Sequence, residues 1–512
     1  MPNHTDNNKR IAKNTLLLYG RMFLMFSISL YTSRVVLKTL GVEDYGIYNV
    51  VGGVISMFAF IKAAMNSSTQ RYITFYLGKG NKDELRDVFS MALLIHFLIA
   101  LVVFALGETI GLWFVLNKLV IPEERQDAAM WVYQLSIVAS LINIVSIPYN
   151  AEIIAHEKMG VFAYVSIIEA VLKLIVVYLL LVIPYDSLKV YAFLIVIISL
   201  LIRYIYSRYC HRNFVEAHFV FTKNYGLLRE MSSFAGWNLW GGFSAVISGQ
   251  GLNILLNMFF GPVVNAARGV SIQIQSAVHQ FATSFQTALN PQITKTYAAN
   301  KLNEMHNLIF RSSKFTFVLL FLICLPVILE TDVILSLWLE KAPDYASIFV
   351  KLMLCITLLD SMANPLMNAN AATGKVKTYQ LVIGSIVILV LPIAYLCLKK
   401  GGEPWTVFAV HLCICFFSFV ARLMIVRSLI HLSMKKFFIR VIFPCSLVLL
   451  VSIPLPMLII NMMAEGTDRL IIVVLVSFCS VSVATYFLAL TESEKNFIKE
   501  KVLNVLNKRI KF

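Results

Sequence analysis

Acidic side chains are scarce: the chain has 28 Asp and Glu in 512 residues beside 44 Lys and Arg, and charged residues make up only 14%. A soluble protein carries nearer a quarter of its residues charged, so a water-facing surface all round is excluded. No Walker-type phosphate loop occurs, which removes a built-in ATP-driven pump, and nothing resembles a catalytic triad or a metal-ligand cluster. The cysteines, at 210, 324, 355, 397, 413, 415, 445 and 479, all lie in or beside apolar runs, and none sits where an exterior disulfide would form. Cys413 and Cys415 point two ways on a helix, so they do not chelate a metal, and all the cysteines are expected to act as core hydrophobes. No stretch assigned to the outside exceeds about twenty residues, which leaves no room for a folded exterior domain.

What the chain has instead is apolar length: 59% hydrophobic residues and a mean hydropathy of +0.77. Runs near the length that crosses a bilayer predict an all-α polytopic membrane protein of about 14 spans, at 13–37, 44–66, 87–115, 128–150, 160–183, 189–209, 233–259, 263–289, 309–330, 345–370, 377–398, 404–427, 437–461 and 469–490. The expected organisation is a six-helix lobe at 1–210, a cytoplasmic linker at 211–231, a second six-helix lobe at 232–430, two further spans at 431–490 and a basic amphipathic cytoplasmic tail at 491–512. That tail opens on a capping-box-like Thr491-x-x-Glu494 and is expected to lie on anionic lipid. The first span follows a short polar lead without a small-residue cleavage site and is expected to remain as a helix.

The net charge of +16 could suggest nucleic acid, but its distribution answers that. With the N-terminus inside, thirty of the 44 cations fall in cytoplasmic segments and eight outside, at Lys38, Lys118, Arg125, Lys189, Lys341, Lys399, Lys400 and Arg469. A positive-inside bias accounts for the charge with no nucleic-acid partner.

One span is oddly polar. In residues 265–286, Asn265, Arg268, Gln275, His279 and Gln286 fall on the series 265, 268, 272, 275, 279, 282, 286, one face of one helix. Subtracting 220 gives Tyr45, Tyr48, Gly52, Ile55, Ala59, Lys62 and Asn66, again with a cation and an amide. The correspondence extends to an ungapped repeat of Leu40–Phe89 against Phe260–Ile309, and Pro148–Lys158 echoes Pro365–Lys375, each closing on Ala-x-x-Lys. Six helices separate the equivalents, so the two halves share one membrane orientation and the expected site lies between them.

The segment Leu40-Gly41-Val42-Glu43-Asp44-Tyr45-Gly46-Ile47-Tyr48, the polar end Asn66-Ser67-Ser68-Thr69-Gln70-Arg71-Tyr72, and their echoes Phe260-Gly261-Pro262 and Asn290-Pro291-Gln292-Ile293-Thr294 resemble the polysaccharide flippases of O-antigen and capsule type. These belong to the multidrug/oligosaccharidyl-lipid/polysaccharide exporter superfamily, which has the MATE-like fold and also holds multidrug extruders and the lipid II flippase. The resemblance implies two pseudo-symmetric six-helix lobes around a central cavity, lined by helices 1, 2, 7 and 8, plus two C-terminal helices. It implies a transporter, not an enzyme, without cofactor. The cargo would be an undecaprenyl-pyrophosphate-linked oligosaccharide, moved to the outer leaflet of a bacterial inner membrane, with both termini cytoplasmic. Membrane lipids, an H⁺ or Na⁺ coupling ion and a polysaccharide polymerase are the implied partners.

The site residues are argued from chemistry. A pyrophosphate calls for Arg or Lys, and a lone cation in a span needs a partner or water. Arg21, Lys62 and Arg268 are the cavity candidates, against a reading as snorkelling interface anchors. Arg34 is either an exit-side anion contact or an interfacial anchor. Tyr45, Tyr48, Asn66, Asn265, Gln275, His279 and Gln286, with Gln250, Asn253 and Asn257 on the preceding span, would suit sugar hydroxyls or bond helix to helix. Glu169, four residues from Lys173, is an ion-coupling candidate or half of an internal ion pair; Asp360, whose nearest cation along its helix is Lys351, nine residues away on the opposite face, is the other coupling candidate. Three alternatives stay open: a cation-coupled multidrug extruder of the same fold, which wants an acidic, aromatic cavity; a membrane polysaccharide polymerase or ligase, which wants a large exterior loop; and a non-transporting scaffold.

Overall fold

The computed structural model describes residues 14–25, 27–28, 31–32, 35–36, 39–40, 44, 47–48, 51, 59–118, 121–222, 224–339, 343–492 and 494–496. Their regular structure is helical, with no strand among the described residues. The helices are α1 (Ala59–Lys79), α2 (Lys82–Leu106), α3 (Leu112–Lys118), α4 (Gln126–Ala155), α5 (Met159–Leu179), α6 (Ser187–Asn213), α7 (Tyr225–Phe260), α8 (Pro262–Ala298) and α9 (Leu302–Leu329). They continue as α10 (Thr331–Trp338), α11 (Ala346–Thr373), α12 (Lys377–Ile388), α13 (Val390–Lys399), α14 (Thr406–Ile430), α15 (Met434–Phe437), α16 (Phe443–Ser452), α17 (Pro454–Met462) and α18 (Thr467–Ala484).

Among the described residues, eleven helical stretches are long and apolar enough to cross a membrane, and each coincides with one of the fourteen expected spans. Of the other three, 263–289 lies on α8, long enough to span but too polar to count by hydropathy. The first two are described in part: residues 14–25 of the first and 59–66 of the second are helical, and the rest of each is interrupted by residues outside the described set.

Local chemistry sets the helix ends. The Asn81 side chain accepts from the Glu84 amide at 3.3 Å, and Asp83 and Glu84 occupy the first turn of α2, where the helix dipole favours negative charge. Asp186 caps α6 by accepting from the amides of Leu188 and Lys189 at 3.0 and 3.1 Å. Its other oxygen takes the Arg125 guanidinium at 2.8 Å, and the same guanidinium holds Asp44.

The residues pack into two compact units. The first comprises Met1–Val246, Thr287–Leu302 and Ala371–Gly384; the second comprises Ile247–Gln286, Asn303–Asn370 and Ser385–Phe512. The first unit centres on buried rings such as Tyr72, Phe89, Tyr133 and Tyr149. Tyr133 of α4 packs on two glycines of the π-helical turn that follows α2: its hydroxyl donates to Gly107 O at 2.5 Å, and a Cβ on Gly111 would fall 2.3 Å from that hydroxyl.

The second unit is built around Leu252, Leu256, Phe349, Val407 and Phe408, together with buried ion pairs. Arg469 grips Glu330 with two bonds of 2.8 Å, both residues being buried. The start of the tail is similarly tied. Glu494 is buried, accepts from the Thr491 amide at 2.9 Å as the capping box requires, and takes Lys314 at 2.8 Å and Arg311 at 3.1 Å. The opening turn of the tail is thus docked on α9 instead of lying free on lipid; residues 497–512 are outside the described part. All eight cysteines are free thiols, but Cys413 and Cys479 are exposed on α14 and α18 rather than in the core, because their helical phase turns them outward.

Burial alone would push the Glu494 carboxyl up, yet the Lys314 and Thr491 hydrogen bonds and the charges of Lys314 and Arg311 outweigh it and hold it below the ordinary carboxylate value. A depressed carboxyl contributes stability that is present above its unfolded pKa and is lost as pH falls through the folded one. Melting curves of the detergent-purified protein are therefore expected to drop as pH falls below the ordinary carboxylate range. In Glu494→Gln the melting temperature should be lower at neutral pH and the acid-side drop smaller; an identical acid-side drop would remove Glu494 as its source.

Candidate functional site

The polar stripe read from the sequence lies on α8, a helix of 37 residues whose part up to Gln286, with the stripe, belongs to the second unit. Its centre is Arg268, which is buried and whose Nη2 donates to the Gly249 carbonyl of α7 at 2.7 Å. Its Nε finds no hydrogen-bond partner, and no carboxylate pairs with it among the described residues. Buried Asn265 Oδ1 and Gln286 Nε2 on the same stripe are likewise without a partner. Four of the sequence-nominated residues leave a buried polar atom unsatisfied, the fourth being Arg21 of the first unit through its Nε. Buried polar atoms are normally hydrogen-bonded, so this concentration is unusual.

The remaining α8 residues divide. Gln275 spends its amide on Thr357 Oγ1 of α11 at 3.0 Å, a helix-to-helix bond. His279 is exposed and shares its surroundings with Thr283, whose hydroxyl donates to the His279 carbonyl at 3.1 Å. On α7, Gln250 and Asn257 are exposed and Asn253 is half-buried.

Asp360 on α11 is not the unpaired acid that its own helix suggested. Arg422 of α14 reaches it, Nη1 to Oδ1 at 3.2 Å, a contact between helices that spacing along one helix cannot reveal. His411, also on α14, is within electrostatic range of both Asp360 and Arg268.

In the first unit the Arg21 guanidinium lies 4.4 Å from the centroid of the Phe162 ring. Glu169 and Lys173 form an ion pair at 2.6 Å along α5, the bland alternative for Glu169. Tyr48 packs edge-on against Tyr191 at 5.0 Å, and Asn66 is half-buried on α1. Lys62 belongs to α1, but its side chain is outside the described part, as are Arg34 and Tyr45 entirely.

The first unit also contains two clasps that the sequence reading did not single out. In one, buried Arg71 of α1 donates from Nε to Ala371 O and from Nη2 to Ala372 O, both at 3.1 Å, satisfying last-turn carbonyls of α11. Its guanidinium lies 4.4 Å from the Tyr72 centroid and 4.7 Å from that of Phe75. It passes so close to Gly374, which has φ +79, that a Cβ there would sit 2.6 Å from Nη2. In the other, Glu157 accepts from Lys295 Nζ at 2.7 Å and Gln292 Nε2 at 2.5 Å, both on α8. Glu157 has φ +58, a left-handed conformation that is costly for a residue with a Cβ.

The two clasps correspond within the repeat. Aligning Ala155-x-x-Lys158 with Ala372-x-x-Lys375 superposes Glu157 on Gly374, and the other alignment superposes Tyr72 on Gln292 and Phe75 on Lys295. In both copies a left-handed residue follows a helix and lies against a side chain of α1 or α8, Arg71 in one and Gln292 with Lys295 in the other. Glycine at 374 was the available sequence signal: helices often end in a left-handed glycine, and the echo carries that conformation to position 157.

Residues 11–297 match the family described as polysaccharide biosynthesis protein, and residues 242–396 match the family MatE. No curated protein matches the chain. Among solved structures, an outward-facing multidrug resistance MATE family transporter of the MOP superfamily is similar with TM-score 0.69 and 13% identity, over 82% of this chain and 96% of that one. A MOP superfamily transporter from Pyrococcus furiosus, described as having a binding pocket of reverse polarity, gives TM-score 0.68 and 11% identity over 83% and 96%. The Vibrio cholerae MATE transporter VcmN in its bent form gives 0.65 and 14% over 83% and 98%. At these identities the likeness establishes the fold: MATE-like.

Gly374→Ala is expected to destabilise the protein by about 1 kcal/mol or more, through the left-handed backbone and the collision with Arg71. Gly236→Ala on α7, where a Cβ would meet nothing within 4 Å, is the control and should leave the melting temperature unchanged or slightly raised. Equal melting of the two variants would contradict the clasp geometry.

Proposed function

Because the chain belongs to the polysaccharide biosynthesis protein family and has a MATE-like transporter fold, we propose that it is a flippase for an undecaprenyl-pyrophosphate-linked oligosaccharide, moving it from the cytoplasmic to the outer leaflet of a bacterial inner membrane. The observation that carries the reading is Arg268: a buried guanidinium on a polar helix, with no carboxylate beside it among the described residues and its Nε–H left unspent. A cation in that condition is suited to an anionic ligand, and guanidinium binds phosphate oxygens with charge-assisted hydrogen bonds. Arg21 has a buried Nε in the same condition, and Asn265 and Gln286 offer one acceptor and one donor to sugar hydroxyls.

The multidrug alternative draws support from the MatE match over residues 242–396. Cationic drugs want an unpaired acid, and Asp360 is engaged by Arg422 while Glu169 is engaged by Lys173. The cation on the stripe favours an anionic cargo.

Transport by alternating access requires contacts that close one side to break when that side opens. The Arg71 and Glu157 clasps are of the right kind, being polar, few and dependent on helix ends. Coupling to H⁺ or Na⁺ would act through Asp360: protonation or ion binding there would loosen Arg422, with His411 sensing the same change.

Reconstituted in vesicles with a fluorescent polyprenyl-pyrophosphate glycan, Arg268→Ala should lose roughly ten- to hundred-fold in transport, the worth of a charge-assisted bond of about 1.5–3 kcal/mol, and Lys62→Ala should be impaired as well. Both should insert and melt normally. Full transport in both, or preferential transport of a quaternary ammonium drug by the native protein, would sink the assignment. Asp360→Asn should make transport indifferent to an imposed proton or sodium gradient; an undiminished gradient response would exclude Asp360.

A further inference from the structure

Away from these residues, three potential metal ligands converge at the end of α4. Glu152 lies in its last turn, His156 just beyond, and Glu216 in the segment that follows α6. The spacing Glu-x-x-x-His places the first two on one helix face, and the fold brings in the third from sixty residues further along. His156 Nε2 is 3.1 Å from Glu152 Oε1 and 2.7 Å from Glu216 Oε1, and one ligand atom from each residue lies within 4.8 Å of the others.

The protein alone does not satisfy this cluster. One imidazole nitrogen faces two carboxylates, yet a single N–H cannot fully serve both. Glu152 is completely buried, and its Oε2 has no hydrogen-bond partner. Glu216 is buried as well, and its electrostatic neighbours are His156 and Glu152 themselves. With both carboxylates ionised, even a protonated imidazole leaves one negative charge uncompensated, and burial makes that expensive. The His156 ring is held by stacking on Phe214, with centroids 4.1 Å apart and planes 15° apart, so its nitrogen is aimed and not free to turn away. Neighbouring Cys210 is occupied elsewhere, its thiol lying 3.4 Å from the Tyr149 carbonyl.

We propose that Glu152, His156 and Glu216 bind a single divalent transition-metal ion of the zinc class. The ion replaces the shared proton at the centre of the cluster, takes the lone pair of a neutral imidazole and balances both carboxylates. An imidazole with two carboxylates suits zinc over calcium or magnesium, and the lack of a thiolate argues against copper(I). Metal–ligand bonds of about 2.0–2.2 Å need donor atoms somewhat more than 3 Å apart, so the present spacing has only to open by a few tenths of an ångström. Three protein ligands leave one position for water or an added ligand. The bound ion would staple the segment between α6 and α7 to the end of α4, independently of the transport reading.

The test uses the full-length protein in detergent, stripped with a chelator and titrated with Zn²⁺ alone against a chromogenic competitor, with bound metal counted by mass spectrometry. One ion per chain is expected in the native protein, none in His156→Gln, and binding at least ten-fold weaker in Glu216→Gln, with elution profile and melting curve verifying folding. Equal zinc content in all three, which would mean adventitious binding at other histidines, overturns the proposal, as does no binding by the native protein at micromolar zinc. Should the variants fail to fold, Co²⁺ decides on the native protein. Strong visible bands of four- or five-coordination saturating at one equivalent and bleached by Zn²⁺ support the site; a weak octahedral spectrum overturns it.

Discussion

A charge withdrawn from water must meet its opposite, and in this protein that requirement ties together segments far apart in the chain. Glu330 holds Arg469, Glu494 holds Lys314 and Arg311, Glu157 holds Lys295, and Asp360 holds Arg422. Apolar packing cannot give this specificity, because lipid is as welcoming to a leucine as another helix is. Among the described residues the buried carboxylates each have a partner, and a buried cation without one stands out. Arg268 matters for that reason: no carboxylate among the described residues pairs with it.

The legibility of the fold in the sequence followed from the length of the interactions involved. Hydropathy runs are local, so eleven spans are placed where the apolar residues predict them, and α8 is a helix although its polarity hides it from the same criterion. The face containing Asn265, Arg268 and Gln286 was legible because helical spacing is also local, and these residues do retain unspent polar atoms. Arg422 at Asp360, Thr357 at Gln275, Lys295 at Glu157 and Glu216 at His156 were not legible, since each pair is closed by packing between helices. The tail shows both sides: its capping box was readable from Thr491 and Glu494, whereas the docking of that box on Lys314 was not.

The internal repeat gave more than topology. It linked two helix ends that look unrelated in composition, His-Glu-Lys and Thr-Gly-Lys, and the backbone at their central residues is left-handed in both. One copy reaches that conformation with the residue that adopts it freely. The other reaches it with a glutamate whose carboxylate is then anchored by two donors, so that electrostatics sustain what sterics oppose.

That difference between Glu157 and Gly374 fixes how each position can drift over generations. At 374 every alternative side chain is penalised at once, by the backbone and by the nearby guanidinium, so the position is frozen by geometry. At 157 substitution is a problem of two coupled residues, because losing the carboxylate leaves the strain without its counterweight and leaves Lys295 with a charge to place. The same turn is thus, in one copy, a rule about a single residue and, in the other, an agreement between two.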